Sequence, residues 1–273
     1  MSPVVSIIIV NYHAAALIRE CLKSLAAAQL ALPYEVIVVD NSNERKLQTM
    51  LAERFPDVVY LPMPRNMGLA VGNNTGARLA RGEYLLVLNP DITVKPGAVE
   101  QLIARLQDEP AIGLVAPQLL DPDGTVQQSY FRFYSPFTIL CRRTFIGKTK
   151  WGVAHLAHKL MRDIVSHEAR DVDWLLAACF AVKRSVWEEV GGMDERFFVY
   201  FEDVDLARRL WLRGYRAHYL PTAQMIHLYG HSSGGQVGIR TLLNPLTRIH
   251  IQSGIRYFSK HGWRQAQKSL ISA

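Results

Sequence analysis

Cysteine is scarce in this chain: three residues in 273, Cys21, Cys141 and Cys179, with neither an even count nor a CxxC spacing. That argues against a disulfide framework and a thiolate zinc site and leaves reduced packing residues. Long apolar runs are missing as well. No stretch reaches the roughly 18 uncharged residues of a spanning helix. The opening MSPVVSIIIVNYH is too short for a signal peptide and lacks its basic flank, so a cytosolic protein is expected. Repeats and low-complexity segments are absent, and a hydrophobic share of 49% excludes disorder and fibres. Two phosphate-binding signatures are lacking too. No GxGxxG follows the first apolar run, where Tyr12, His13 and Ala14 stand, and GxxxxGK[ST] occurs nowhere. Both a dinucleotide oxidoreductase and a P-loop nucleotidase are thereby disfavoured.

What is present is an alternation. Short continuous apolar runs at 4–10 (VVSIIIV), 35–39 (EVIVV), 58–61 and 84–88 (YLLVL) have the composition of parallel strands buried on both faces. Helical patterns lie at 14–28, 45–54, 69–81 and 96–107. Strand and helix in turn predict an α/β doubly wound sheet. After about residue 120 the rhythm breaks: DPDG at 121–124, a strand over 172–182, the Gly191-Gly192 turn, a helix over 202–213 and a helical segment over 240–268.

The net charge of +7 is concentrated. Between 130 and 163 stand Arg132, Arg142, Arg143, Lys148, Lys150, Lys159 and Arg162 against one acid, Asp163, seven less one giving +6. Phe131, Phe133, Tyr134, Phe137, Phe145 and Trp151 are interleaved with them. Such a segment suits nucleic acid, an anionic membrane surface or a solvated loop. Near the C-terminus Arg248, Arg256, Lys260, Arg264 and Lys268 are spaced by multiples of four, a basic stripe for a membrane or a solvated helix face.

Ligands of open α/β sheets sit beyond the carboxyl ends of the strands. Those ends carry Asn11-Tyr12-His13, Asp40-Asn41-Ser42 and Asn89-Pro90-Asp91. A carboxylate at Asp40 can accept from a ribose hydroxyl or a base N–H, and Tyr12 can stack on a base, so a nucleotide pocket is expected. Gly68, Gly72 and Gly76 share one helix face, which suits close packing for Gly76; Asn66 and Gly68 stand at the helix start, where free N–H groups favour anions. A diphosphate beside Asp91 calls for a divalent cation, with further ligands from elsewhere. Glu202, Asp203 and Asp205 open an amphipathic helix, where acids also serve as caps. Phe197, Phe198, Tyr200 and Phe201 precede them, and a carboxylate walled by aromatics has a raised pKa suited to a general base. His227, followed by Gly230 and Ser232, is a candidate second ligand for manganese.

Taken together, VSIIIVNYH, EVIVVDNS, RNMGLAVGNNTGARLARGEYLLVLNPD, WLLAACFAVKRSVWEEVGGMDERFFVYFEDVDLARRLWLRGY and HLYGHSSG resemble glycosyltransferase family 2, the inverting GT-A group, in its bacterial rhamnosyltransferase-like branch. The resemblance runs from residue 4 to about 235. It implies a GT-A fold: one mostly parallel nucleotide-binding sheet flanked by helices, a smaller mixed acceptor-side part and a C-terminal helix. The expected division is a transferase domain at 1–238, with a donor half (1–120) and an acceptor half (121–238), and an amphipathic segment at 239–273. The donor would be a dTDP- or UDP-linked sugar, with Asn11, Tyr12 and Asp40 at base and ribose and Asn66, Gly68 and Asn89 bordering it. Asp91 matches the last acid of the family's Asp-x-Asp motif, whose first acid is replaced by Asn89. With His227 it would hold Mg2+ or Mn2+. Asp203 falls at the general base, Glu202 beside it, and Trp174, Ala177 and Ala178 would line the sugar and acceptor site. The acceptor would be a saccharide or a polyprenyl-diphosphate-linked sugar, with peripheral contact to the anionic inner face of the cell membrane and no nucleic acid. Three other readings stand beside rhamnosyl transfer: a UDP-sugar transferase of the same family, a catalytically silent scaffold, and a sugar-nucleotide pyrophosphorylase, whose glycine-rich loop is absent.

Overall fold

A computed structural model describes residues 2–162, 167–228 and 244–264. The four apolar runs are parallel strands β1 (Val5–Asn11), β2 (Tyr34–Asp40), β3 (Val59–Pro62) and β4 (Tyr84–Leu88). Between them lie helices α1 (Ala15–Ala28), α2 (Arg45–Arg54) and α3 (Leu69–Leu79). Alternate residues of β1 enter opposite cores. Ile7 and Ile9 pack in the cluster that holds Ile18, Leu22 and Leu102, whereas Ile8 and Val10 pack in the one that holds Trp187 and Leu206. A strand covered on both faces has no use for alternating polarity, hence its continuous apolar run. Gly76 of α3 lies so close to this sheet that a Cβ there would stand 2.5 Å from Ile8 Cγ2.

Beyond β4 come β5 (Ile92–Val94), α4 (Ala98–Asp108) and β6 (Ile112–Leu120), then β7 (Tyr130–Phe131), α5 (Pro136–Arg143), a 3₁₀ turn (Phe145–Lys148) and α6 (Lys150–Lys159). The strand expected over 172–182 is three short ones, β8 (Arg170–Val172), β9 (Trp174–Leu175) and β10 (Cys179–Lys183). Each serves a different neighbour: β8 pairs with the long β11 (Arg216–His227), β9 leaves the main sheet to pair with β7, and β10 runs antiparallel between β4 and β6. Helices α7 (Arg184–Val190), α8 (Glu202–Leu212) and α9 (Pro245–His261) complete the described chain. The main sheet has nine strands in the order β3-β2-β1-β4-β10-β6-β11-β5, with β8 beside β11, so it is parallel at one end and mixed at the other.

A third, aromatic cluster ties the C-terminal part to the sheet. It holds Phe131, Phe133, Tyr134 and Trp174, Phe197 and Phe201 from the segment before α8, and Tyr257 and Phe258 from α9. Half of the aromatics in the basic segment are therefore core, while Phe137, Phe145 and Trp151 stay exposed. Two members of the expected C-terminal stripe contact the protein itself: Lys260 bridges Asp194 and Asp205, and the exposed Arg256 donates to the Arg196 carbonyl. Lys268, Gly230, Ser232 and Asp163 lie outside the described residues.

Candidate active site

The order β3-β2-β1-β4 reverses direction between β1 and β4, and at such a switch point a crevice opens beyond the carboxyl ends. Asn89-Pro90-Asp91 leaves β4 into that crevice, pinned where the Asn89 N–H donates to the Ala178 carbonyl at 2.8 Å. The chain then enters β5, whose partner is β11, with Ile92 opposite His227. This pairing places the histidine beside Asp91: the Leu228 N–H donates to the Asp91 carbonyl at 2.9 Å, and His227 Nε2 lies 3.4 Å from Asp91 Oδ2.

Gln127 settles which imidazole nitrogen carries the proton. Its amide nitrogen donates to Asp121 Oδ1 (2.6 Å) and to the His227 carbonyl (2.9 Å), so its Oε1 can only accept, at 2.8 Å, from His227 Nδ1. With Nδ1 engaged by Gln127, Nε2 is the ring nitrogen turned toward Asp91. Asp91 Oδ1 is itself buried with no hydrogen-bond partner among the described residues. An imidazole nitrogen and a carboxylate oxygen facing each other at this range can share a proton or a cation. One carboxylate and one oriented imidazole are a fitting donor set for Mg2+ or Mn2+, with a ligand's phosphate oxygens to complete the shell. No group of three or more His, Cys, Asp or Glu suited to a metal exists among the described residues, which offer this pair.

Opposite stand Glu202 and Asp203, the first residues of α8. Tyr200 and Phe201 deliver them with two successive non-glycine residues at φ +70°, a conformation that surrounding packing must enforce. Helix α9 provides that packing: His250 meets both rings edge-on, Ser253 Oγ donates to the Val199 carbonyl at 3.1 Å, and Tyr257 packs on Phe201. Burial pushes the Glu202 carboxyl well above the usual carboxylate range, the neighbouring Asp203 charge adding to it, and Glu202 Oε2 has no partner among the described residues. Burial raises Asp203 as well, against the N–H groups of Val204 and Ala177, which favour its anion. Asp205 behaves otherwise. It is fully buried, and although burial alone would raise it, His261, Arg209 and Lys260 hold it below the usual range.

One cavity of about 640 Å³ joins the two pairs: Asp91 and His227, Glu202 and Asp203 all line it. Asn89, Trp174, Ala177 and Ala178 line it too, so eight of the expected residues meet there. The other five, Asn11, Tyr12, Asp40, Asn66 and Gly68, are not among its lining residues and gather at the carboxyl ends of β1 and β2 and the start of α3. Tyr12 is 55% exposed there. Asp40 is fully buried and accepts from Asn11, Ser42, Glu44 N–H and Tyr60, so a ribose or base contact would have to displace one of these bonds. Asn66 Oδ1 accepts from the Gly68 N–H, and Gly68, at φ +89°, has room for no Cβ because the Phe198 carbonyl oxygen occupies that place. Gln127, Asp121 and His250 escape a reading of the sequence: a glutamine in a polar connector carries no signal until β11 is seen beside it.

The model of the family described as glycosyl transferase family 2 matches residues 6–166. The chain belongs to that family. An N-acetylglucosaminyl-diphospho-decaprenol L-rhamnosyltransferase of Mycobacterium tuberculosis is 30% identical to this glycosyltransferase, over 97% of this chain and 88% of that one. The rhamnosyltransferase WbbL of Escherichia coli is 26% identical over 94% of this chain and 93% of that one. Among solved structures, GalNAc-T7 with UDP, GalNAc and Mn2+ superposes with a TM-score of 0.68 at 17% identity; the match covers 95% of this chain and half, 50%, of that longer one. The mannosyltransferase PcManGT of Pyrobaculum calidifontis, in complex with GDP-Man and Mn2+, gives 0.55 at 18% identity, covering 97% and 73%. These likenesses establish the GT-A fold. No helix among the described residues of the glycosyltransferase is long and apolar enough to cross a membrane.

Proposed function

We propose that this family 2 glycosyltransferase moves a rhamnosyl group from dTDP-rhamnose, with inversion, onto a saccharide or polyprenyl-diphosphate-linked acceptor in cell-surface polysaccharide synthesis, aided by Mg2+ or Mn2+. The observation that carries the reaction class is the meeting of the Asp91–His227 pair and the Glu202–Asp203 pair on one cavity. Support for the sugar comes from the two rhamnosyltransferases named above, and for a lipid-linked acceptor from the mycobacterial one. A UDP-linked galactose, glucose or N-acetylglucosamine donor is the second reading, favoured by the UDP in the GalNAc-T7 structure.

Asp91 and His227 would hold the cation, which when bound neutralises charge on the departing diphosphate. The base and ribose would lie over Asn11, Tyr12 and Asp40, with Asn66, Gly68 and Asn89 along the donor; Trp174, Ala177 and Ala178 would wall the acceptor. Asp203 takes the proton of the acceptor hydroxyl as that oxygen bonds to the anomeric carbon. The bond from that carbon to the diphosphate breaks, its electron pair leaving on the phosphate oxygen. An anion destabilised by burial is the stronger base, so the raised pKa of Asp203 suits the task. Glu202, pushed higher still, stays protonated at neutral pH and spares Asp203 a second charge beside it.

Asp203→Asn should lose about 10²- to 10⁴-fold in turnover while nucleotide binding survives. Near-normal transfer by that variant removes the base assignment. A panel of nucleotide sugars, assayed for released dTDP or UDP, decides between the donors.

A further inference from the structure

The aromatics of the basic segment that do not enter the core remain to be accounted for. Helix α5, the 3₁₀ turn and α6 form a small module with firm ends: Ser135 caps α5, Thr144 accepts from the Ile146 N–H and Thr149 from the Gly152 N–H. Its pieces touch through backbone, since a Cβ on Gly147 would collide with the Cys141 carbonyl oxygen and one on Gly152 with that of Ile146. On this built frame large apolar side chains point outward. Trp151 is 86% exposed and Phe145 73%, and Phe137, Leu140 and Val153 are exposed too. Lys148 and Lys150, between the two most exposed rings, face solvent without a carboxylate partner among the described residues. No Asp or Glu occurs anywhere from 124 to 162. The other end of the module reaches the cavity, where Arg142, Leu160 and Arg162 line the wall.

We infer that the α5–3₁₀–α6 module is a docking surface for an anionic phospholipid bilayer, with Phe145 and Trp151 entering the headgroup region and Lys148 and Lys150 meeting lipid phosphates. Aromatics exposed this far are stabilised at a membrane interface, and lysines beside them add attraction to anionic lipid. Nucleic acid is the weaker fit. Leu140 and Val153 share the exposed apolar set and have no face on which a base can stack. The surface would present the cavity's basic wall to a headgroup-level diphosphate. That purpose rests on the lipid-linked acceptor proposed above, whereas the binding itself does not.

The test is cosedimentation of the full chain with phosphatidylcholine vesicles containing about one third phosphatidylglycerol and no prenyl lipid, at physiological salt. Binding to these and not to phosphatidylcholine alone is expected, with a blue shift of tryptophan emission that Trp151→Phe abolishes. Lys148→Gln with Lys150→Gln should weaken binding about 25-fold, two charges at about fivefold each. Phe145→Ser with Trp151→Ser should weaken it at least about tenfold. All variants should keep the parent's melting temperature and dTDP binding. Absence of binding, or an aromatic double variant that binds like the parent, overturns the inference. So does tighter, steeply salt-dependent retention on single-stranded RNA, or self-association that buries Trp151. Vesicle binding without transfer to a lipid-linked acceptor would instead sink the acceptor reading and leave the surface standing.

Discussion

Glu202 and Asp203 are acids that the fold makes reluctant to ionise, and this has consequences of opposite sign for rate and stability. A base must be charged, so turnover should rise with pH through the raised pKa of Asp203, a limb that a pH–rate profile would show displaced upward from the ordinary aspartate range. For stability, the unfolded chain releases the Glu202 proton at the usual value while the folded chain retains it, so raising the pH across that gap favours unfolding. Glu202→Gln should therefore match the parent in melting temperature near pH 4 and exceed it at pH 8, by thermal scans in parallel buffers. A variant less stable than the parent at pH 8 would contradict the burial account. At this scale the sequence was informative wherever a polar residue ended an apolar run, as at Asp91, Asp203 and His227. It was silent on Gln127, whose task exists only across the gap to His227, and it could not separate Asp205, locked under His261, Arg209 and Lys260, from the two acids that face the cavity.

Elements were legible where burial was simple. Strands β1, β2 and β4 announced themselves because both faces are covered. β6 did not, since its buried stretch IGLVAPQLL carries a proline and a glutamine. β11 has a strand-like TAQMI stretch, but a proline interrupts the run before it. Its ladder with β6 shifts register between Leu220 and Gln224, around Pro221, which has no N–H to give. In the C-terminal stripe, spacing by four described a basic face, on which Arg248 and Arg256 are exposed while Lys260 is engaged by two carboxylates. Lys260→Met should cost about 2 kcal/mol in urea unfolding at neutral pH, the value of a bond to a charged partner, and slow turnover by freeing the Tyr200–Phe201 turn from α9. The loss should shrink in acid. Asp194 and Asp205 are held below the usual range, so their contribution is full above the ordinary aspartate pKa and fades as pH falls through the lowered values. Gly68→Ala should be worse than Gly76→Ala. The first needs a positive φ and meets a backbone oxygen that also accepts from the Leu69 N–H, while the second keeps a helical φ, gains helix propensity and crowds one methyl of the buried Ile8 side chain, not backbone. Circular-dichroism melts of the two variants would show the ranking, and equal losses would discount the Phe198 contact.

Over the whole molecule the sheet sets the division of labour. Its parallel end, read from sequence with little loss, carries the strand ends where a nucleotide is expected. Its mixed end, which the sequence showed only in fragments, brings residues more than a hundred positions apart onto one cavity. β5 reaching β11 puts His227 beside Asp91, and the aromatic cluster under α9 sets Asp203 across from them. Long-range antiparallel pairing leaves little local trace, which is why the acids could be named from local pattern while their meeting was expected only from the family resemblance. The most direct measurement is calorimetric titration of dTDP and UDP, with and without Mn2+, into the parent, Asp91→Ala and Asp203→Asn. The account predicts Mn2+-dependent binding in the parent and in Asp203→Asn and its loss in Asp91→Ala; nucleotide binding that ignores both the metal and Asp91 would contradict it.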